Sequence, residues 1–188
     1  FNVSRETSDN INIFKEILLE KNKEFNLISK NDEDIVDNRH IMDSAQVIDL
    51  INKNSDKYID MGSGAGFPGI ILAIMLKELN KETKIYLYEK SLKKSKFLSM
   101  ISEQLGLNVS IINKNICNEK NLEAGSITAR AFRPVNQVFE ILINNFKNYR
   151  NLILFLGERG KQSLLEASKV WNFEYKEHKS ITSNDSLI

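Results

Sequence analysis

An α/β fold with a mostly parallel sheet and helices on both faces is the class this chain predicts, and three observations carry that expectation. Short apolar runs alternate with helical periodicity from residue 57 onward, the first run ends in a glycine cluster that opens a helix, and residues 1–55 show helical patterns alone.

Ser8, Asp9 and Asn10 are candidate N-caps, and Ile11, Phe14, Leu18, Lys21 and Phe25 follow at helical spacing. A second helical pattern runs through Ile35, Val36, His40, Ile41, Ala45, Ile48 and Ile51. Residues 1–55 are therefore expected as a helical cap, ahead of a core over 56–188 in a single 188-residue domain. Strands are expected at 58–61, 85–88, 109–112, 127–129, 152–156 and 173–176, with helices at 68–79, 92–105, 134–147 and 162–171. Pro68 and Pro134 suit helix openings and Gly106 a helix end. Strand and helix in strict turn require right-handed crossovers, hence parallel strands.

The balance of 26 basic and 25 acidic residues gives a formal charge of +1, which excludes a coating protein held on nucleic acid or membrane by global charge. Cys117 is the one cysteine, ruling out an internal disulfide and a cysteine-rich zinc site; with two histidines, no metal is expected. No run reaches the roughly 18 apolar residues of a membrane span. The expectation is a cytoplasmic monomer. Cys117 reads as a small hydrophobe, and His40 as a core histidine rather than an acid or base.

Function concentrates in Asp60-Met61-Gly62-Ser63-Gly64-Ala65-Gly66-Phe67-Pro68-Gly69, which holds four of the eight glycines. Without a Cβ, glycine lets a ligand lie against the backbone, and the amides of the new helix are expected to stay unpaired and face that ligand. Gly62, Gly64 and Gly66 form the GxGxG of nucleoside-type methyl donors, whereas Gly64, Gly66 and Gly69 formally match the GxGxxG of dinucleotides. Glu89, ending the next strand, suits the ribose diol of either cofactor. Register favours the methyl donor: with Gly62 first, Asp60 falls at the carboxyl end of the strand, facing the ligand crevice. The dinucleotide register buries a carboxylate and a glycine in a parallel strand. An NAD(P) oxidoreductase remains the rival, and a small-molecule methyltransferase another.

The same loop, preceded by Arg39-His40-Ile41-Met42-Asp43-Ser44 and followed by Thr128-Ala129-Arg130-Ala131, resembles the bacterial small-subunit rRNA guanine-N7 methyltransferase family, also known as the glucose-inhibited division protein B family. Asn26-Leu27 at the end of the first helix fits too. The resemblance implies a Rossmann-like class I methyltransferase that moves a methyl from S-adenosylmethionine to N7 of one guanine in the decoding-region loop of 16S rRNA. The acceptor would sit in the small ribosomal subunit or an assembly intermediate. It further implies that Gly62 and Phe67 contact the donor, that Glu89 takes its ribose, and that Arg130 lines the pocket. Ile116 and Cys117 stand where the family commonly has Ala-Glu beside the adenine. The family's Leu-Lys-Gly after the fifth strand is replaced by Leu156-Gly157-Glu158, and the fold's last antiparallel strand is expected to be missing after Ile188.

Guanine N7 carries a lone pair and no proton, so its methylation needs alignment rather than a general base, and no catalytic residue is expected. Lys90, Lys93, Lys94 and Lys96 concentrate positive charge beside Glu89. Lys93 and Lys94, with Arg133 flanking Phe132, are the expected RNA contacts at the rim.

Overall fold

A computed structural model describes residues 3–52, 55, 57–79, 82–183 and 186–188. Among them five strands form one sheet in the order β3-β2-β1-β4-β5: β1 (Lys57–Met61), β2 (Lys84–Tyr88), β3 (Val109–Ile112), β4 (Leu122–Arg130) and β5 (Phe146–Phe155). Every pairing is parallel, as the alternation requires. Met61 lies level with Tyr88 on one side and Ala129 on the other, so the chain leaves β1, β2 and β4 at one height. Whatever follows those three strands must share one crevice.

Side chains alternate across β1. Tyr58 joins one core with Phe14 and Leu18 of α1 (Arg5–Phe25), while Ile59 and Met61 join the opposite core. The first core also holds α3 (Gly69–Leu79), whose Gly-Ile-Ile-Leu-Ala-Ile-Met-Leu run is buried throughout, together with Phe97, Leu98 and Ile101 of α4 (Leu92–Gln104). The second is closed by Val138, Ile141 and Leu142 of α5 (Val135–Asn145), and α6 (Gly160–Ser168) packs beyond it through Leu164 and Ala167. Helices thus cover both faces of the sheet. Gly106 ends α4 at φ +56°, and Pro134 N-caps α5.

Several boundaries differ from expectation. The first helix begins a turn earlier because Ser4, not Ser8 to Asn10, accepts the Thr7 amide as N-cap, and it ends at Asn26 in the left-handed region. The second pattern is not one helix. It breaks into a π-helical turn, Asp37–Met42, that runs into α2 (Asp43–Ala45), and then a 3-10 turn at Ile48–Leu50. Strands β4 and β5 run well beyond their apolar centres, because flanking polar residues continue the ladder in register. Residues 173–176 form no strand: Phe173 packs edge-on against Phe139, 4.8 Å between centroids, and Leu187 bridges Leu156 antiparallel at the β5 edge instead. Among the described residues, no helix is long and apolar enough to cross a membrane.

Candidate donor site

The crevice above β1, β2 and β4 is a cavity of about 530 Å³. Gly62, Ser63, Gly64, Ala65 and Phe67 form its floor, Glu89 and Lys90 one wall, Asn115 and Ile116 a second, and Arg130 to Arg133 the far end.

The loop after β1 takes positive φ at Gly62 (+76°), Gly64 (+57°) and Gly66 (+102°), the backbone region that side chains disfavour. It is knotted to β2: the amides of Gly62 and Ser63 both donate to Tyr88 O, at 2.9 and 3.0 Å. Glu89 completes the junction. One of its carboxylate oxygens accepts the Gly64 amide at 2.9 Å, the other the Ser91 amide at 2.7 Å. Each oxygen keeps a lone pair, so a buried carboxylate is fixed in place with acceptor capacity left for a ligand hydroxyl. Ser91 then N-caps α4.

At four loop positions the amide expected to stay unpaired is already bonded. The amides of Gly62, Ser63, Gly64 and Gly66 are satisfied within the protein, and the N-terminus of α3 is turned away from the cavity toward Asp60. Asp60 is 1% exposed and lies beneath the loop: Thr128 Oγ1 donates to its Oδ1 at 2.6 Å, and Tyr58 meets the same Thr128 hydroxyl at 2.6 Å. A Cβ on Gly69 would meet Asp60 Oδ2 at 2.6 Å, so only glycine lets α3 begin over this carboxyl. Burial pushes the Asp60 carboxyl up to about 6, against hydrogen bonds from Thr128, Ser63 and the Gly69 amide. Its Oδ2 still lacks a hydrogen bond of good geometry. Asp60 is a support for the loop, corrected from a crevice-facing ligand.

Three other expected positions do not reach the cavity. Gly66 faces Ile70 and Leu98 of the core, Cys117 lines a separate surface groove beside α5, and Lys93 lies 5.6 Å from the Phe25 ring centroid, on the α1 side of α4. One turn geometry explains the last: Lys93 and Lys94 project about 100° apart on a helix. Lys94 lines the cavity, as does Arg133, whose Nη1 donates to Gln137 at 3.1 Å. Ile116 is in the wall, and its carbonyl is already taken by Asn145 Nδ2 at 2.8 Å.

Arg130 is held more tightly than its place after a strand suggests. Its Nη2 lies 3.1 Å from Asp43 Oδ2, both side chains 13% exposed, and it also donates to Arg39 O; its guanidinium carbon stands 5.8 Å from the Phe155 ring centroid. Burial lowers its pKa from the ordinary guanidinium value, and the Asp43 charge opposes that shift. Asp43 further accepts Gln46 Nε2 at 2.7 Å and the hydroxyls of Ser180 and Thr182 at 3.1 Å each. The helical cap, the end of β4 and the C-terminal segment therefore meet at one ion pair. Asp43 lies inside the Arg39 to Ser44 motif, and that placement was its only signal in the sequence.

His40 lines the cavity, stacked on Phe67 with centroids 4.8 Å apart at 20°. Burial, reinforced by the nearby Arg130 charge, lowers its pKa to about 4, so the ring is neutral at pH 7. Its Nε2 stands 3.4 Å from Asp32 Oδ2 without making a hydrogen bond. Tyr88, Leu27, Lys114 and Phe132 are further lining residues that the sequence did not mark as part of the site.

The family described as rRNA small subunit methyltransferase G matches residues 7–186. A protein of Pelagibacter ubique bearing that name is 42% identical over 189 residues, covering 100% of this chain and 89% of its own length. The namesake from Rickettsia felis is 34% identical over 186 residues, covering 99% of this chain and 93% of itself. The chain belongs to this family. It is thus a methyltransferase. Among solved structures, M. jannaschii TYW2 in complex with AdoMet matches with a TM-score of 0.54 at 16% identity, covering 79% of this chain and 71% of that one. A SAM-dependent O-methyltransferase from Thermotoga maritima matches with a TM-score of 0.52 at 15% identity, covering 86% and 62%. At such identity these two establish the Rossmann-like methyltransferase fold and nothing finer. No group of three His, Cys, Asp or Glu side chains arranged for a metal ion occurs among the described residues.

Proposed function

We propose that this protein transfers a methyl from S-adenosylmethionine to N7 of a single guanine in the decoding-region loop of 16S rRNA, within the small subunit or a precursor of it. The observation that carries the reading is Glu89. It is fixed between the glycine loop and α4 by two amides, with lone pairs spare for a ribose diol. The cradle fits the donor: Gly62 and Gly64 at positive φ admit a ligand against the backbone, Phe67 and Ile116 supply apolar walls, and Arg130 closes the far end. Asp60 and Gly66 hold the shape of the loop from behind.

When bound, the donor supplies an electrophilic methyl group. The chain's own task is alignment, which by orientation alone is worth about 7–11 kcal/mol of a barrier. No base is required at N7, and the neutral, half-buried His40 on Phe67 serves packing. Lys90, Lys94 and Arg133 surround the cavity mouth and have no ion-pair partner among the described residues, so they are the cations available to RNA phosphates. Because N7 lies on an edge that a duplex groove hides, the acceptor base must be unpaired or swung out.

Small subunits lacking this methyl should accept labelled methyl from S-adenosylmethionine at one guanine of 16S rRNA, located by mass spectrometry of nuclease fragments. Label on protein or on a small molecule, or no transfer at all, overturns the reading.

A further inference from the structure

The turn that leaves β4 aims an aromatic ring into the cavity. Ala131 sits at φ +47°, a conformation disfavoured for a side-chain-bearing residue, and it is fixed at both ends: by the Arg130–Asp43 pair before it and by the Pro134 cap of α5 after it. The residue so displayed is Phe132, half-buried and part of the cavity lining. A Cβ built on Gly62 would stand 2.4 Å from Phe132 Cδ2, but 3.1 and 3.4 Å from Cε2 and Cγ. A ring lying flat would bring all three carbons to similar distances, so Phe132 rests on Gly62 by its edge. The ring also packs against the second core, its remaining surface lines the cavity, and it already accepts a planar cation: the Arg133 guanidinium carbon is 5.9 Å from the ring centroid.

We propose that Phe132 is the stacking platform for the acceptor guanine at the Gly62 end of the cavity. The inference rests on the guanine-N7 reading above and deepens it. Glu89 follows β2 and Phe132 follows β4, on opposite sides of β1, so the Phe132 side of Gly62 lies away from the ribose and is where the acceptor enters. The base has a π-face whatever its sequence context, and stacking on an aromatic side chain typically changes binding by about 5-fold to 150-fold on truncation. The chemistry adds a reason for an aromatic rather than any apolar residue. The N7 lone pair forms the new bond to the methyl carbon, the electron pair of the breaking carbon–sulfur bond stays on sulfur, and unit positive charge passes to the base. A ring face attracts that charge as it develops, more strongly in the transition state than in the ground state.

The test compares Phe132→Leu with Phe132→Tyr. Donor-side integrity is read by calorimetric affinity for S-adenosylhomocysteine, and the acceptor side by kcat and KM on small subunits lacking the methyl. For Phe132→Leu the expected result is nucleoside affinity within about twofold of the parent, with kcat/KM down at least ~10-fold and kcat sharing the loss. Phe132→Tyr keeps the ring and should stay within about threefold in kcat/KM. A Leu variant as active as the parent overturns the proposal while leaving the guanine-N7 reading intact. A Leu variant that loses affinity for S-adenosylhomocysteine also overturns it, assigning the ring to covering the donor. A parent protein that methylates no guanine removes the reading and this inference together.

Discussion

Two turns leave neighbouring strands at the same height and line the same cavity, yet they are built by opposite means. The turn after β1 takes positive φ at three glycines and ties itself down through backbone amides and the nearby Glu89. The turn after β4 takes positive φ at an alanine, and its shape is enforced by an ion pair to a residue of the helical cap, far away in sequence. The first is a conformation the local sequence prefers; the second is one that the rest of the protein imposes. Strain of this kind persists only where the surroundings over-determine it, and here the surroundings are Asp43, Arg39, Phe155 and α5.

The contrast breaks hardest at its long-range link. Arg130→Met leaves Asp43 buried without its cation, and breaking such a pair should cost about 3 kcal/mol in urea unfolding. The hydrogen bonds that Asp43 keeps from Gln46, Ser180 and Thr182 hold the cost at the lower end of the range for buried pairs. A loss below about 1 kcal/mol would mean that the pair behaves as a screened surface contact and does not hold the turn.

On the local side, Gly62→Val puts a branched side chain at φ +76° and into the edge of Phe132. Left-handed strain and overpacking together amount to about 3 kcal/mol, which the free loop escapes by leaving its cradle shape; because binding must restore that shape, calorimetry should show affinity for S-adenosylhomocysteine reduced ~100-fold with the circular dichroism spectrum retained. Unchanged affinity would remove the glycine loop from the donor site.

Where the two turns meet, two titrating groups pull in opposite directions. His40 has its pKa lowered from 6.5 to about 4, so the unfolded chain binds the extra proton; its contribution is present above pH 6.5 and lost as pH falls toward 4. Asp60 has its pKa raised from 3.8 to about 6, so the native state binds the extra proton, and stability from this group declines as pH rises from 4 to 6. The two slopes largely cancel in the parent. His40→Gln removes one and exposes the other, so between pH 6 and pH 4 the variant should gain about 1–2 kcal/mol relative to the parent in urea unfolding, the His40 share being discounted for its partial exposure. Parallel pH profiles for the two proteins would show that His40 is not held neutral.

Legibility in the sequence follows the same division. Alternating apolar runs gave the parallel sheet, and Gly62 to Gly66 with Glu89 gave the cradle, because each feature is written within a few residues and needs no distant partner. The broken second helix escaped pattern reading, since its apolar spacing is helical throughout, and nothing in that spacing shows that Asp43 within it pairs with Arg130 of β4. Residues 173–176 read as a strand from their alternation, but a strand needs an edge to pair with, and the β5 edge bridges Leu187 instead. Lys93 and Lys94 are indistinguishable as charges in a row; only the rotation of α4 turns one to Phe25 and the other to the cavity.

By itself the sequence determined the fold class, the backbone cradle and the acid beside it, all consequences of short-range rules: glycine's freedom at positive φ, alternation along strands, caps at helix ends. The tertiary structure alone decided that Asp60 supports the loop from below, that Arg130 is anchored by Asp43, and that Phe132 stands over Gly62. Those three depend on which residues burial brings together across the sheet, and a carboxylate, a guanidinium and a ring take their roles from the partners that burial assigns them.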